Sequence, residues 1–513
     1  MALVWLVATL AACGGGGGNA DDRGGSAGAD LQPASTGYAR KCAPDNTLAW
    51  EGDGANRYTS GTLEDEKTWV RSYLNEAYLW YSEVPSIDRS LPEYNVTPAQ
   101  VALDNWFDAL KTPARTPAGN LKDRFSFTMP TAQWNALSQT GEIGGYGIEW
   151  ILTSGTPPRA ARVAYVEAGS PAAAAGVARG DTMLGLVSGG AIIDFANSTD
   201  PAEIALLNQA MFSPVAGTGY TFRLRSNSGA ERNANLTAGR VTSTSVKEAK
   251  VLDSKGSKVG YLLFNDFFLP GEAQLKSAIE GFRAAAVSDL ILDLRYNGGG
   301  YVYMASQLAY MIAPPETTAG KTFERSVFSD KRSAATSSAS NDMGFRTATS
   351  GIPGSGTSAN ASLPNLGLNR VYVLTSAGTC SASESVINGL RGVDVEVILL
   401  GSGTCGKPYG FTARDNCGVS YFPVEFKGVN HKGFGDFADG FAPTCAVADD
   451  LENPLGNERE GLLAAALVYR ESASCTPVTS STVAKNDNGA PSQSRLTGTI
   501  VRPASRTGKY LAP

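Results

Sequence analysis

The sequence contains a single histidine, His431, among 513 residues. A metal site built from several histidines is therefore excluded, and so is any mechanism that needs two imidazole side chains. The seven cysteines include no Cys-x-x-Cys pair, so the spacing typical of a zinc ribbon is also missing. We therefore predict neither a metal nor a cofactor.

The sequence also lacks an excess of basic residues and lacks long hydrophobic runs. Lys and Arg number 43 against 49 Asp and Glu, which gives a net charge of −6. A nucleic-acid partner calls for a basic face, so none is expected. No run approaches the 18 or so apolar residues of a membrane-spanning helix. At this length we expect about three domains, and the 42% hydrophobic content is ordinary for globular proteins.

The first residues predict an export signal. Residues 1–12 are apolar but too short to span a bilayer permanently. The run Leu10-Ala11-Ala12-Cys13 resembles the bacterial lipobox, whose cysteine becomes the lipidated N-terminus. No Lys or Arg precedes the apolar run, so a plain secretory signal with an incidental cysteine is the alternative. Residues 1–13 are thus predicted to be a lipoprotein signal, and residues 14–45, which are rich in Gly, Ala, Ser and Asp, a flexible linker.

The lipobox resemblance implies a location. Lipid on Cys13 would attach the chain to a membrane of the bacterial cell envelope. The residue after the cysteine influences sorting in lipoproteins, and Gly14 is not the aspartate that retains them. We therefore expect an outer-membrane anchor that faces the periplasm.

The remaining six cysteines suggest disulfides, because an even count is typical of exported chains. Fifteen pairings are possible. Cys405 and Cys417 flank a short stretch that contains Gly, Asp and Asn, and they are candidates to close a hairpin.

Composition and periodicity divide the rest of the chain into four parts. Residues 46–135 are predicted to be helical, with a capping box at Thr62–Asp65 and a second helix start at Thr97, where Pro98 would be the first helical residue. From about residue 140 short strands alternate with glycine turns, and residues 245–472 alternate strands with helices. Within this last part residues 316–362, rich in Ser, Thr and Gly, are predicted to be a long surface insertion. The tail at 476–513 is predicted to be disordered.

Residues 140–240 resemble a PDZ domain. The segment Gly169-Ser170-Pro171-Ala172-Ala173-Ala174-Ala175-Gly176-Val177, followed by Arg179-Gly180-Asp181, is similar to a characteristic segment of that family. The resemblance implies that Gly145, Tyr146, Gly147 and Ile148 form a loop whose backbone N–H groups bind a peptide C-terminal carboxylate, while the peptide adds as a strand. The alternative is a glycine-rich turn without a ligand.

A candidate nucleophile follows a buried strand. Val371-Tyr372-Val373-Leu374 is predicted to be a strand, and Ser381 stands at the start of the next predicted helix. The free N–H groups at a helix N-terminus can stabilise an oxyanion beside the serine. Ser381 and Glu384 also form a Ser-x-x-Glu capping box, which is the structural alternative.

Two further segments favour Ser381 as a nucleophile over Ser381 as a mere capping residue. Lys407 stands in a glycine-rich loop after a second buried strand, where desolvation would lower its pKa and allow its neutral amine to accept a proton from serine. Upstream, Leu292-Asp293-Leu294-Arg295 leads into Gly298-Gly299-Gly300, a loop that can offer bare N–H groups to an oxyanion.

These three segments, in this order, resemble the S41 family of C-terminal-processing (tail-specific) serine proteases. The resemblance spans roughly residues 140–472 and is weaker before them. It implies a multidomain α/β protein with a helical N-terminal region, a PDZ-like β-rich domain and a crotonase/ClpP-like core. It further implies protein or peptide substrates, Ser381 as nucleophile, Lys407 as general base, and the N–H groups of Gly299 and Ala382 as oxyanion donors.

The sequence departs from the family at several positions. Pro408 follows the lysine in place of glycine, and Phe411 stands where many members have a glutamine that orients the lysine. The orienting group is therefore unassigned. A disulfide between Cys380 and Cys405 would tie the two catalytic segments together. Three alternatives stay open: a triad that uses His431, a non-catalytic peptide- or ligand-binding protein of S41-like fold, and a PDZ scaffold with a purely structural α/β region.

Overall fold

The computed structural model describes residues 32–51, 54–154, 156–212, 214–475 and 509–511. The predicted signal with Cys13 lies outside the described residues, and so does most of the predicted disordered tail. Among the described helices, none combines the length and the apolar character that crossing a membrane requires. The described part is a mixed α/β chain with a helical N-terminal region, a β-rich domain and an α/β core.

The N-terminal region is built around the helix α3. Its start is the predicted capping box: the Thr62 side chain accepts from the Asp65 N–H at 3.1 Å, and Asp65 accepts from the Thr62 N–H at 2.9 Å. The elements of this region are β1 Lys41–Cys42, α1 Thr47–Trp50, α2 Gly54–Arg57, β2 Thr59–Ser60, α3 Leu63–Ala77, α4 Ala99–Ala109, β3 Phe127–Pro130 and α5 Thr131–Thr140.

Two predictions for this region need correction. Helix α4 begins at Ala99, because the backbone of Pro98 is extended; Pro98 is the cap residue, and Thr97 caps nothing. The predicted linker over 14–45 also ends too late. Ser35 donates to Glu76 through its N–H and its hydroxyl, both at 2.7 Å, and the buried Cys42 forms a disulfide with Cys417. These long-range contacts order the stretch from residue 32 onwards, which local composition could not reveal.

The β-rich domain forms a six-stranded sheet with a two-stranded ribbon beside it. The sheet has the order β10-β9-β7-β6-β5, with β8 paired to β7, and the ribbon joins β4 to β11. The elements are β4 Glu142–Gly145, β5 Ile148–Ser154, β6 Ala160–Val166, α6 Pro171–Ala174, β7 Thr182–Ser188, β8 Ala191–Asp194, α7 Pro201–Phe212, β9 Gly219–Arg225, β10 Glu231–Thr237 and β11 Gly239–Thr242.

The α/β core contains the longest buried strands. Its elements are β12 Val246–Ser254, β13 Ser257–Phe264, α8 Gly271–Ala284, β14 Asp289–Asp293, β15 Gly299–Tyr301, α9 Val302–Ile312, α10 Pro315–Thr318, β16 Thr322–Phe328, α11 Ser333–Thr336, β17 Asp342–Gly344, β18 Arg370–Thr375, α12 Ala382–Gly392, β19 Glu396–Gly401, β20 Tyr409–Gly410, β21 Arg414–Asn416, β22 Val419–Phe422, β23 Phe426–Val429, β24 Cys445–Ala446 and α13 Gly461–Ser472. A last short strand, β25, spans Lys509–Leu511.

The central sheet has the order β12-β13-β14-β18-β19-β24 and is parallel from β13 onwards. Leu292 and Val373 face a core shared with α8, α9 and α12, whereas Ile291 and Tyr372 face α13 on the other side. Because both faces are covered, the strands have continuous apolar sequences. The parallel arrangement brings the C-terminal ends of β14, β18 and β19 to one edge of the sheet.

The region predicted as a surface insertion, 316–362, is partly core. Strand β16 pairs with β23, with Phe328 opposite Phe426. Phe323 and Glu324 are buried, and Phe323 packs closely against Gly389 of α12. The prediction failed because the few buried apolar side chains, such as Phe323 and Phe345, stand among many serines and threonines, some of which are buried as well.

Three disulfides join the described cysteines: Cys42–Cys417, Cys380–Cys405 and Cys445–Cys475. The suggested Cys405–Cys417 hairpin bridge is therefore wrong. Cys417 lies at the turn between β21 and β22 and bonds to Cys42, while Cys405 bonds to Cys380.

Candidate active site

Ser381 stands between the end of β18 and the first residue of α12. Its backbone has φ 60° and ψ −116°, a conformation that is rare for a residue with a side chain. Such strain costs about 1–3 kcal/mol and is found mainly at functional sites. The residue is fully buried, and its Oγ faces the Glu384 N–H in the capping box at the start of α12 but forms no hydrogen bond with a described residue. The loop thus holds an unengaged hydroxyl in place.

The loop before Ser381 is fixed by the end of β14. Thr379 donates its hydroxyl to the Leu294 carbonyl at 2.8 Å, and the Cys380 N–H donates to the Asn297 carbonyl at 3.0 Å. The Ser383 hydroxyl donates to the same Asn297 carbonyl at 3.1 Å. These bonds join the nucleophile segment to the glycine loop that follows β14.

Glu384 brings the segments of Ser381 and Lys407 together. The N–H groups of Ser381 and Lys407 donate to the same carboxylate oxygen, Oε2, at 2.9 and 2.8 Å. The other oxygen accepts from the Gly406 N–H at 2.8 Å and from the Thr404 hydroxyl at 2.6 Å. Sequence reasoning recognised Glu384 only as a capping residue. The structure shows a second role, because its carboxylate binds the lysine loop as well as the helix start.

A disulfide adds a covalent link between the same two segments. Cys380 directly precedes Ser381, Cys405 stands two residues before Lys407, and the two cysteines are bonded, with Cα atoms 5.2 Å apart. This confirms the pairing suggested from the sequence. Sulfur atoms of this pair and a Glu384 oxygen lie within 4.8 Å of one another, but the disulfide removes the thiolates that would bind a metal ion.

Lys407 is fully buried in an aromatic environment. Its Nζ lies 4.0 Å from the ring centroid of Phe411 and 5.6 Å from that of Phe125. Burial lowers the pKa of the Lys407 amine well below its usual value, and the carboxylates of Asp123 and Glu384 oppose that shift. Burial likewise raises the pKa of Glu384, against the effect of its four hydrogen-bond donors. The site therefore favours a neutral amine.

Asp123 is a contributor that sequence reasoning missed. It accepts from the Tyr78 hydroxyl at 2.6 Å and from the N–H groups of Phe125 and Ser126 at 3.1 and 2.9 Å. No local motif marks it, and its position in the N-terminal region separates it widely from Lys407 in sequence.

The glycine loop lies next to the nucleophile segment. The Gly299 N–H donates to the Asn297 side-chain oxygen at 2.9 Å, so one of the two predicted oxyanion donors already has an acceptor. Ala382 is the first residue of α12, where N–H groups have no partner within a helix. A Cβ at Gly300 would lie 2.5 Å from the Phe267 carbonyl oxygen, so only glycine fits there.

Two family models match parts of this chain. Residues 258–415 match the family model described as peptidase family S41, and residues 65–127 match that of the peptidase S41 N-terminal domain. The chain is therefore similar to S41 peptidases over these two stretches. Ser381 and Lys407 both lie within the first match.

One curated protein and two solved structures are similar to this chain to different extents. Carboxyl-terminal-processing peptidase 2 (chloroplastic) of Arabidopsis thaliana is 28% identical over 189 residues, which cover 35% of each chain, so the match spans about a third of that relative's length. An S41 protease from Bacteroides fragilis superposes with a TM-score of 0.57 at 25% identity, over 79% of this chain and 97% of that one. A photosystem II D1 C-terminal processing protease gives a TM-score of 0.41 at 17% identity, over 79% and 92%.

His431 lies outside the candidate active site. It is exposed, and its Nδ1 accepts from the Thr322 N–H at 3.4 Å. Because the Ser381 Oγ has no partner among the described residues, no hydrogen bond joins it to His431 or to Lys407. The structure thus brings Lys407, but not His431, into the network around Ser381.

The predicted carboxylate-binding loop lies in the β-rich domain. Gly145 ends β4, Tyr146 is buried, and Ile148 begins β5, the edge strand of its sheet. The Tyr146 carbonyl accepts from the Ala172 N–H at 3.0 Å, and Gly147 packs closely against Ser170. The two segments that suggested a PDZ domain are therefore in contact.

Proposed function

We propose that this chain is a serine endopeptidase of the bacterial cell envelope in which Ser381 and Lys407 form a catalytic pair. The observation that carries the proposal is the shared acceptor: the N–H groups of Ser381 and Lys407 donate to one oxygen of Glu384. A buried lysine with a lowered pKa beside a strained serine is the combination that nucleophilic catalysis requires.

The proposed reaction follows from these groups. Neutral Lys407 accepts the Ser381 proton as Oγ attacks the scissile carbonyl, and the protonated amine then gives that proton to the leaving amine. The Ala382 N–H stabilises the oxyanion, joined by the Gly299 N–H when it leaves the Asn297 side chain. Water hydrolyses the acyl-enzyme with Lys407 again as base. Rotation of the Ser381 hydroxyl towards Lys407 breaks no hydrogen bond, since it has none.

The substrate proposal rests on the β-rich domain and on the name of the Arabidopsis relative. We assign Gly145, Tyr146, Gly147 and Ile148 as a PDZ-like loop that binds the C-terminal carboxylate of a protein or peptide, beside the edge strand β5. The relative is described as carboxyl-terminal-processing, in agreement with substrates engaged through their C-termini. Lipid on Cys13 would anchor the enzyme to the outer membrane, facing the periplasm.

One observation favours a second candidate, a non-catalytic S41-like binding protein. Phe411 lies against the Lys407 amine at the position where many family members have a glutamine. A protein of this fold that only binds peptides needs neither a neutral lysine nor a strained serine. We therefore rank the binding protein second.

Hydrolysis of casein by purified variants separates the two candidates. We expect Ser381→Ala and Lys407→Ala each to lower the rate at least about 1000-fold. Ser333→Ala and Lys427→Ala, which change an exposed serine and a partly exposed lysine, should leave it unchanged. Circular dichroism controls for folding. A folded Ser381→Ala or Lys407→Ala variant with the wild-type rate would favour the binding protein.

A further inference from the structure

A strand from the end of the sequence lies beside the candidate active site. Strand β25, Lys509–Leu511, pairs in parallel with β15, placing Lys509 opposite Gly299 and Tyr510 opposite Gly300. It also lies next to β20, which begins two residues after Lys407. The backbone of 509–511 therefore runs between the glycine loop and the strand that follows the lysine.

One edge of strand β15 forms hydrogen bonds with Phe267, and the other edge pairs with β25. On the first edge the Phe267 N–H donates to the Gly299 carbonyl at 3.0 Å, and the Tyr301 N–H donates to the Phe267 carbonyl at 2.8 Å. The N–H and C=O of Gly300 consequently face β25. In a parallel ladder they pair with the residues on either side of the one opposite, here Lys509 and Leu511.

An incoming peptide substrate would need the same edge. Extended peptides bind proteases and similar receptors by adding a strand to an exposed sheet edge, with main-chain hydrogen bonds supplying affinity. The position beside Gly299 is where the backbone next to a scissile bond must lie if this loop stabilises the oxyanion. A segment of the same chain in that position excludes the substrate.

We propose that Lys509–Leu511 is an intramolecular pseudosubstrate that occupies the substrate groove and lowers the affinity of the enzyme for other peptides. The proposal rests on the proposed protease function. The stretch 476–508 can span about 110 Å at about 3.3 Å per residue. It is therefore long enough for Lys509–Leu511 to leave the groove and to bind there again. A tethered segment has an effective concentration of about 1 mM. Against a dissociation constant of about 0.1 mM, this would reduce apparent substrate affinity about tenfold.

The kinetic test uses a proline in the paired strand. Leu511→Pro removes the N–H that faces the Gly300 carbonyl, and Thr499→Pro is the matched control outside β25. We expect Leu511→Pro to raise kcat/KM for a peptide substrate about tenfold through KM, with kcat unchanged, and Thr499→Pro to behave as wild type. Equal kcat/KM in both variants would overturn the proposal.

A binding measurement makes the test independent of catalysis. In the Ser381→Ala background, a fluorescent peptide of residues 505–513 should bind the Leu511→Pro protein about tenfold more tightly than the Thr499→Pro protein. Equal affinity of the two proteins for the peptide would show that β25 does not occupy the groove. If the tenfold difference in affinity is found but wild-type protein does not hydrolyse casein, only the protease function is contradicted. Intact mass must also show an uncut tail in wild type. A tail removed in wild type but kept in Ser381→Ala would mean that the segment is a substrate, which contradicts inhibition.

Discussion

The chemistry of the site depends most on the protonation of one amine. Lys407 is buried against Phe411 and Phe125, and this burial lowers its pKa. A lowered lysine pKa means that the neutral base is populated above the folded-state pKa and lost as pH falls through it. The rate should therefore rise with pH on the acid side of the profile, and the midpoint should report the pKa of Lys407 in the complex.

Phe411 offers a direct way to shift that midpoint. Phe411→Gln gives the ammonium form an oxygen acceptor, which stabilises the charge and raises the pKa of Lys407 by about one unit, equivalent to about 1.4 kcal/mol. Phe411→Leu keeps the site apolar but removes the attraction between the aromatic ring and the ammonium group. The pKa of Lys407 should therefore fall or stay unchanged. The measurement is kcat against pH. An acid limb that moves to lower pH in Phe411→Gln would contradict this account.

Residues within short motifs could be predicted from the sequence, whereas residues that act across the fold could not. Ser381 and Lys407 each stand in a strand-loop pattern that suggests chemistry. Glu384 was visible only as a capping residue, because its bonds to the 404–407 loop depend on tertiary structure. Asp123 carries no local signal, since its proximity to Lys407 arises from packing of the N-terminal region on the core.

At the scale of elements, the disulfide between Cys380 and Cys405 joins the start of α12 to the lysine loop. Another disulfide, Cys445–Cys475, provides a natural comparison. The two bridges close stretches of similar length, with sequence separations of 25 and 30. Chain-entropy arguments therefore assign them similar contributions to stability, about 3–4 kcal/mol each.

Removing the two bridges separately should distinguish stability from catalysis. We expect the double variants Cys380→Ser/Cys405→Ser and Cys445→Ser/Cys475→Ser to lose similar free energies of unfolding in urea. Only the first should lose kcat, by about tenfold or more, because small displacements of catalytic groups are costly. Equal kcat values in the two double variants would show that the Cys380–Cys405 bridge has no part in positioning the site.

Elements with a strong apolar pattern were predictable, and those defined by pairing were not. The strand at 371–374 and the helix from Ala382 agree with β18 and α12. Strand β16 was hidden within the polar stretch 316–362, because its assignment depends on pairing with β23. The ordered stretch from residue 32 was missed for a similar reason: its contacts are with Glu76 and Cys417, far along the chain.

At the scale of the whole molecule, buried ion pairs join the β-rich domain to the core. Arg179 donates to the Tyr296 hydroxyl at 2.6 Å and to Asp449 at 2.8 Å. Asp449 also accepts from the fully buried Arg295, which pairs with Asp293 and Glu460. The Leu-Asp-Leu-Arg motif thus supports the domain interface in addition to leading into the glycine loop.

Arg179 should matter far more than a surface arginine at the same interface. Arg179→Ala removes a mostly buried cation from Asp449 and Tyr296, while Asp449 keeps its bond to Arg295. The loss of these charged hydrogen bonds should cost about 2 kcal/mol of unfolding free energy. Arg162→Ala removes a more exposed pair with Glu452 and should cost less than about 1 kcal/mol. Calorimetry of the two variants checks this. Equal losses would mean that the buried network does not couple the domains.

Covalent labelling of the nucleophile tests the central claim most directly. A fluorophosphonate reacts with an activated serine, and peptide mapping by mass spectrometry locates the adduct. The account predicts one adduct on wild-type protein, at Ser381, and almost none on Lys407→Ala in the same time. An adduct at another serine, or equal labelling of Ser381 without Lys407, would contradict it.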